Sequence, residues 1–205
     1  MEWIYLDNHL LIAKKPAGLA TQPDLHLALK DKLKAKFHKP GNVFLEPIHR
    51  LDKPVQGMVL FARTSKALSR LNQAMREKKI NKIYCALVEG NIDKEDGVLE
   101  HFLIHDEFKA QVVKQDHPEG KRAVLYYKVL KRMGDRTLVQ ITLETGRYHQ
   151  IRAQFAKEKH PIIGDRKYGS KMLWKDEQIA LWNTGLQLDH PVTLKPLMFE
   201  LEFII

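Results

Sequence analysis

Asp52 stands between two cations in the run His49-Arg50-Leu51-Asp52-Lys53-Pro54. Positive charge on either side keeps a carboxylate ionised, and an ionised carboxylate is a nucleophile or a base. Pro54 and Gly57 turn the chain just after it. The same acid therefore also reads as a turn cap that accepts backbone N–H bonds. A second group lies at 144–154, ETGRYHQIRAQ, where Arg147, His149 and Arg152 gather beside Tyr148 at the start of a helical pattern. Cations there oppose the helix dipole, a local conflict of the kind that functional sites carry. Arg152 has the reach and the planar fork to pair with a carboxylate from elsewhere in the fold. Tyr84 falls in a buried-strand pattern. It is either a packed core residue or a phenol at a cleft wall, able to stack a base or move a proton.

Several elements must position these groups. Residues 3–13 read as strand, Asp7-Asn8 turn, strand, ended by KKPAG. Leu25, Leu29, Leu33 and Phe37 recur every four residues, which predicts a helix over 25–37 with a lysine-rich outer surface. MVLFA (58–62) is a short buried strand. Thr64 or Ser65 caps a following helix whose apolar face holds Ala67, Leu68, Leu71, Ala74 and Met75. KIYCALVEG (82–90) has apolar runs on both faces, so both are covered, and its Cys85 is a small core residue. Residues 91–120 read as polar and turn-rich around short strands. RAVLYYKVLKR and TLVQITLET form a hairpin around Gly134-Asp135, QIRAQFAKE a helix, HPIIGDRKYGS a loop. LWNTGLQLDHP and LMFELEFII are closing strands. Strands outnumber helices and short turns join them, which predicts an α+β fold with a mixed, largely antiparallel sheet flanked by helices.

The 205 residues carry a net charge of +9, which favours a polyanionic partner. One cysteine excludes an internal disulfide and any multi-cysteine zinc site. No apolar run has the length of a membrane span, and the N-terminus lacks a signal-peptide pattern, so a cytoplasmic protein is expected. No linker or repeat marks a boundary, so one domain over 1–205 is expected.

The ordered segments HRLDKPVQGMVLFAR, KIYCALVEG, TGRYHQIRAQFA and HPIIGDRKYG resemble the motifs of the RluA-type family of RNA pseudouridine synthases. IYLDNHLLIAKKPAGLATQP and LQLDHPVTLKPLMFEL are similar to that family's start and finish, so the resemblance covers nearly the whole chain. It implies a pseudouridine-synthase-like fold with a central RNA-binding cleft. It implies Asp52 as the catalytic residue, and Arg50 as the side chain that displaces the target base. By the same resemblance Tyr84 lines the site, Arg152 forms an ion pair with Asp52, and Ile151 walls the pocket. Arg147, His149, Lys167 and Tyr168 are further candidates for RNA contact. His149, Gly164 and Asp165 read mainly as architectural. Val55-Gln56 departs from the small hydroxyl residue that the family commonly carries before the glycine, which bears on loop geometry and substrate preference. The chain starts directly at the catalytic region, so no N-terminal S4 domain is expected.

The implied activity is isomerisation of uridine in ribosomal or transfer RNA, by a monomer, without metal, cofactor, membrane or obligate protein partner. The alternative is a catalytically weak or inactive RNA-binding protein of the same fold. Two other enzyme classes have candidate groups. A metal-dependent hydrolase would draw on His49, Asp52, His149, His160 and Asp165, whose spacings match no strong metal motif. A two-carboxylate glycosidase would need a second acid such as Glu144.

Overall fold

Asp7 closes the first turn of the chain. Its Oδ1 accepts from the amides of His9 (2.7 Å) and Leu10 (2.9 Å), which folds β1 (Trp3–Leu6) back on β2 (Leu10–Lys15). Pro16 follows β2, as the sequence requires. The computed structural model describes residues 2–175 and 178–202. It divides into two units, Met1–Asn81 with Asn183–Ile205, and Lys82–Trp182.

In the first unit β2 runs antiparallel to β4 (Gln56–Ala62), with Lys15 opposite Gly57. The two-residue β3 (Glu46–Pro47) pairs with the far end of β4. Near the C-terminus come β10 (Leu181–Asp189), of which all but the first two residues belong to this unit, and β11 (Pro196–Glu200) antiparallel to it. Helix α1 (His26–Phe37) buries Leu29 and Leu33, with Leu25 buried just before it. Phe37 does not join them. It is 42% exposed, because the helix ends there and His38 turns into the left-handed region at φ 49. Helix α2 (Ser65–Arg76) is capped by Thr64, whose Oγ1 accepts from the Ala67 amide at 3.1 Å. Its Ala67 and Leu71 meet Leu10, Ile12, Met58, Leu60, Leu186 and Leu188 in one core. Each such buried leucine, isoleucine or methionine side chain contributes about 1.5–3 kcal/mol.

The second unit orders its strands β5-β9-β8-β6-β7, with every pairing antiparallel. Their ranges are β5 (Asn81–Glu89), β6 (Asp96–Asp106), β7 (Lys109–Val113), β8 (Lys121–Arg132) and β9 (Arg136–Leu143). Tyr84 through Val88 are all buried, as the apolar run predicts, and Cys85 is among them. Residues 91–120 differ from expectation. They hold an eleven-residue strand and a hairpin partner, because β6 buries only Leu99 and Leu103 and so reads as polar. Helix α3 (Gln150–Lys157) lies on β6 and β7. Its fully buried Gln154 donates through Nε2 to the carbonyls of Leu99 (2.9 Å) and Ala123 (3.1 Å), tying the helix to two strands. The fold is α+β, as the count of strands against helices predicts. The end of the expected last strand, 203–205, lies outside the described residues. Among the described residues no helix is long and apolar enough to cross a membrane.

Candidate active site

The first unit supplies the Asp52 turn. The Val55 amide donates to the Asp52 carbonyl at 3.0 Å and so closes the turn. Three residues from the β2–α1 segment fix this turn by its backbone. Thr21 Oγ1 donates to the Leu51 carbonyl and accepts from the Leu51 amide, both at 3.0 Å. The Gly18 amide donates to the Lys53 carbonyl at 2.9 Å. Lys15 donates from Nζ to the carbonyls of Leu19 (2.6 Å), Pro16 (3.0 Å) and Lys53 (3.2 Å). The backbone on both sides of Asp52 is thus held, while the Asp52 side chain is half-buried.

Lys15 is wholly enclosed, although it is a lysine at a strand end. Burial lowers its pKa to about 8, opposed by the carboxylates of Asp52 and Asp24, which favour the cation. Sequence reasoning passed over it. The signal was present in KKP: side chains alternate along a strand, so one of two adjacent lysines must face inward.

Arg50 is exposed. His49 is buried, and its Nε2 accepts from the Leu60 amide at 3.2 Å, holding this segment against β4. Gln56, where the small hydroxyl would stand, is half-buried at the start of β4, and Val55 before it is 2% exposed and part of the core.

The second unit supplies Tyr84, Ile151 and Arg152. Tyr84 sits on β5 opposite Ile141, 6% exposed. Ile151 and Arg152 lie in the first turn of α3, both buried. Arg152 donates from Nε to Asp165 Oδ2 at 2.7 Å and from Nη2 to Asp165 Oδ1 at 2.9 Å. Its guanidinium also stands 5.0 Å from the Tyr168 ring centroid. Asp165, read from the sequence as a turn-shaping residue, is a buried partner of the site arginine. A Gly-Asp pair in a loop gives no sign that the acid points inward.

Tyr168 accepts from the Ala110 amide at 2.7 Å and lies 2.9 Å from His149 Nδ1. Burial lowers the His149 pKa to about 3, helped by Arg152, Lys167 and His105 and opposed by Asp165. His149 is thus neutral near pH 7, and Arg152 is neutralised by Asp165. The conflict between these cations and the helix dipole is relieved in that way. Gln150 braces the turn that precedes the helix: its Oε1 accepts from the Arg147 amide (2.9 Å) and the Thr145 hydroxyl (2.8 Å). Arg147 is exposed and donates from Nε to the Arg122 carbonyl at 3.1 Å. Lys167 is exposed and donates to the Phe108 carbonyl at 3.0 Å.

The groups of the other two enzyme classes have structural employment. His160 Nδ1 meets the Glu89 carbonyl at 2.8 Å. Glu144 accepts from Tyr126 at 2.7 Å and pairs with Arg122 at 3.3 Å. Among the described residues no three His, Cys, Asp or Glu side chains are grouped to hold a metal ion.

Residues 9–157 match the family described as RNA pseudouridylate synthase. The chain is 35% identical over 202 residues to ribosomal large subunit pseudouridine synthase C of Vibrio cholerae, covering 95% of this chain and 63% of that protein. It is 33% identical over 208 residues to the dual-specificity RNA pseudouridine synthase RluA of Haemophilus influenzae, covering 98% of this chain and 92% of that one. The solved structure of human RNA pseudouridylate synthase domain containing 4 shares the fold, with a TM-score of 0.83 and 22% identity. That match covers 98% of this chain and 88% of the human one.

Proposed function

Because this chain belongs to the RNA pseudouridylate synthase family, we propose that it isomerises uridine in RNA to pseudouridine, with Asp52 as the catalytic carboxylate. The reaction breaks the N1–C1′ bond, turns the uracil and joins C5 to C1′; the C5 proton leaves and N1 gains one, so composition is unchanged. Asp52 starts it by attacking the sugar, by taking a proton to give a glycal, or by adding to the ring. The observation that carries this reading is the Asp52 turn, whose backbone Lys15, Gly18 and Thr21 hold in place. A reagent carboxylate needs a fixed frame and a side chain that substrate can reach.

In this reading Arg152 forms a pair with Asp52 that keeps it ionised, as well as its fork with Asp165. Tyr84 stacks the uracil and takes part in removal of the C5 proton, and Ile151 walls the pocket. The uracil must leave its stack first, which costs a few kcal/mol and is least in unpaired RNA. Arg50, exposed and planar, fills the vacated place. Arg147, His149, Lys167 and Tyr168 line the RNA path, and the net charge of +9 holds the phosphates. The Vibrio relative's name refers to the large ribosomal subunit and the Haemophilus relative's to dual specificity. Structured ribosomal or transfer RNA is accordingly the proposed substrate. The protein would act as a cytoplasmic monomer without cofactor, residues 1–205 serving as one catalytic domain.

The test is tritium release from total RNA transcribed with C5-tritiated uridine. Wild type should release tritium, and Asp52→Asn should not, while keeping its RNA affinity. Tight binding with no release by wild type from any RNA would replace this reading with that of an inactive RNA-binding protein.

A further inference from the structure

Strand β6, the β7–β8 connection with the first residue of β8, and the β9–α3 turn of the second unit enclose an open depression of about 520 Å³. Its polar wall is made by His105, Glu119, Lys121, Arg147 and Tyr148. None of Asp52, Tyr84 or Arg152 lines it. Three rings form a ladder running outward to it. Buried His149 lies 3.8 Å from Tyr148 with the ring planes 19° apart, and Tyr148 lies 4.2 Å from His105 at 47°. Exposure rises along the ladder: His149 is 8% exposed, Tyr148 43%, and His105 is also exposed.

We propose that this depression is a subsite for an unpaired RNA nucleotide other than the reacting uridine, its base extending the His149–Tyr148–His105 ladder and its phosphate meeting Lys121 and Arg147. The inference rests on the RNA-modifying reading above. Exposed rings beside cations are the pattern of single-strand binding, since every base has a π-face and every nucleotide a phosphate. A site for phosphate alone would need neither the rings nor a carboxylate. Glu119 repels phosphate, but it can accept from a ring N–H or exocyclic amine at a base edge. Paired RNA offers no open base face to such a ladder, so the ligand is single-stranded. Lys121 and Arg147 are each exposed, so they meet the phosphate without the cost of burying an unpaired charge.

The test compares a fluorescein-labelled unstructured RNA octamer with its fully abasic counterpart, which keeps every phosphate. Wild type should bind the base-bearing octamer at least about fivefold more tightly, and the double variant Tyr148→Leu/His105→Ala should lose most of that preference. An unchanged preference in the double variant overturns the proposal. So does an equal loss for both octamers, which marks phosphate contact alone. Photocrosslinking of wild type with a 4-thiouridine octamer gives a check that needs no variant. Adducts on His105 or Tyr148 are expected, and their absence beside adducts elsewhere counts against the subsite. Tritium release separates the two readings. Release with an unaffected base preference sinks only the subsite; absence of release sinks the synthase reading while the octamer comparison still stands.

Discussion

Arg152 and Asp165 meet as a two-bonded fork, 2.7 and 2.9 Å, with side-chain exposures of 5% and 1%. Two charges out of water gain most of their mutual attraction from good geometry, and removing one takes the two-bonded fork from the other. Asp165→Asn should therefore lower the stability of the protein by about 3–5 kcal/mol, read as a shift of the urea midpoint. Arg152→Met combined with Asp165→Leu should lose less than Asp165→Asn alone, because no buried guanidinium is then left without its fork. A larger loss in the double variant would show that the fork itself, rather than charge compensation, is what the second unit needs.

Lys15→Met keeps the length and the apolar stem of the side chain and removes all three donors to Pro16, Leu19 and Lys53. Relief of the cost of a buried cation offsets part of the loss of those bonds. The main effect should fall on the Asp52 turn, whose displacement by about 1 Å is enough to lower a rate by about 10²-fold. The expected result is a lower kcat for tritium release with KM and RNA affinity near wild type. A raised KM with intact kcat would assign Lys15 to substrate binding instead.

How much of this was legible in the sequence depended on the range of the interaction. The Thr64 cap, the Leu25-Leu29-Leu33 spacing and the Asp7 turn are local, and each forms as its residues predict. Asp52, Arg152 and Tyr84 were marked out by residue type and by motif order. Lys15, Asp165 and Gln154 were not, because their burial follows from partners 13 to 55 residues away in the chain. Strand β6 was underestimated for a related reason. An outer strand with one half-covered face carries polar residues at most positions, and only its pairing with β8 and β7 reveals its length. Phe37 had the right spacing for the α1 core but fell at the helix end.

His149 yields a prediction about acid. Its pKa falls from 6.5 to about 3 on folding, with burial as the leading cause. Between those values the unfolded chain binds a proton that the folded protein does not, so this group makes stability rise with pH there. Acidification from pH 6.5 towards pH 3 should therefore destabilise the wild type progressively. His149→Gln cannot take up that proton and should flatten this part of the stability-against-pH profile, measured by urea denaturation at each pH. Parallel profiles for the two proteins would mean that His149 is protonated in the folded state. Activity between pH 6.5 and 8 should show no inflection from His149, since it is neutral throughout.

Gly57 begins the return from the Asp52 turn, and two constraints act on it together. Its φ is +130, outside the range that L side chains ordinarily adopt. An added Cβ would also meet the Asn183 backbone, in contact with its carbonyl oxygen and 2.6 Å from its nitrogen. Backbone on both sides leaves no flexible side chain to yield. Gly134, at φ +66 in the β8–β9 turn, has the first constraint without the second, since nothing lies within 4 Å of a Cβ there. Gly134→Ala should cost about 1–2 kcal/mol, the strain of a left-handed alanine alone. Gly57→Ala must add the displacement of β4 from Asn183, and with it of the turn that carries Asp52. It should lose more stability than Gly134→Ala in thermal melts, and tritium release should fall further than the loss of folded protein accounts for. Equal melting shifts for the two variants would mean that the β4 backbone yields to the methyl group without cost, and that the close approach to Asn183 does not hold the turn.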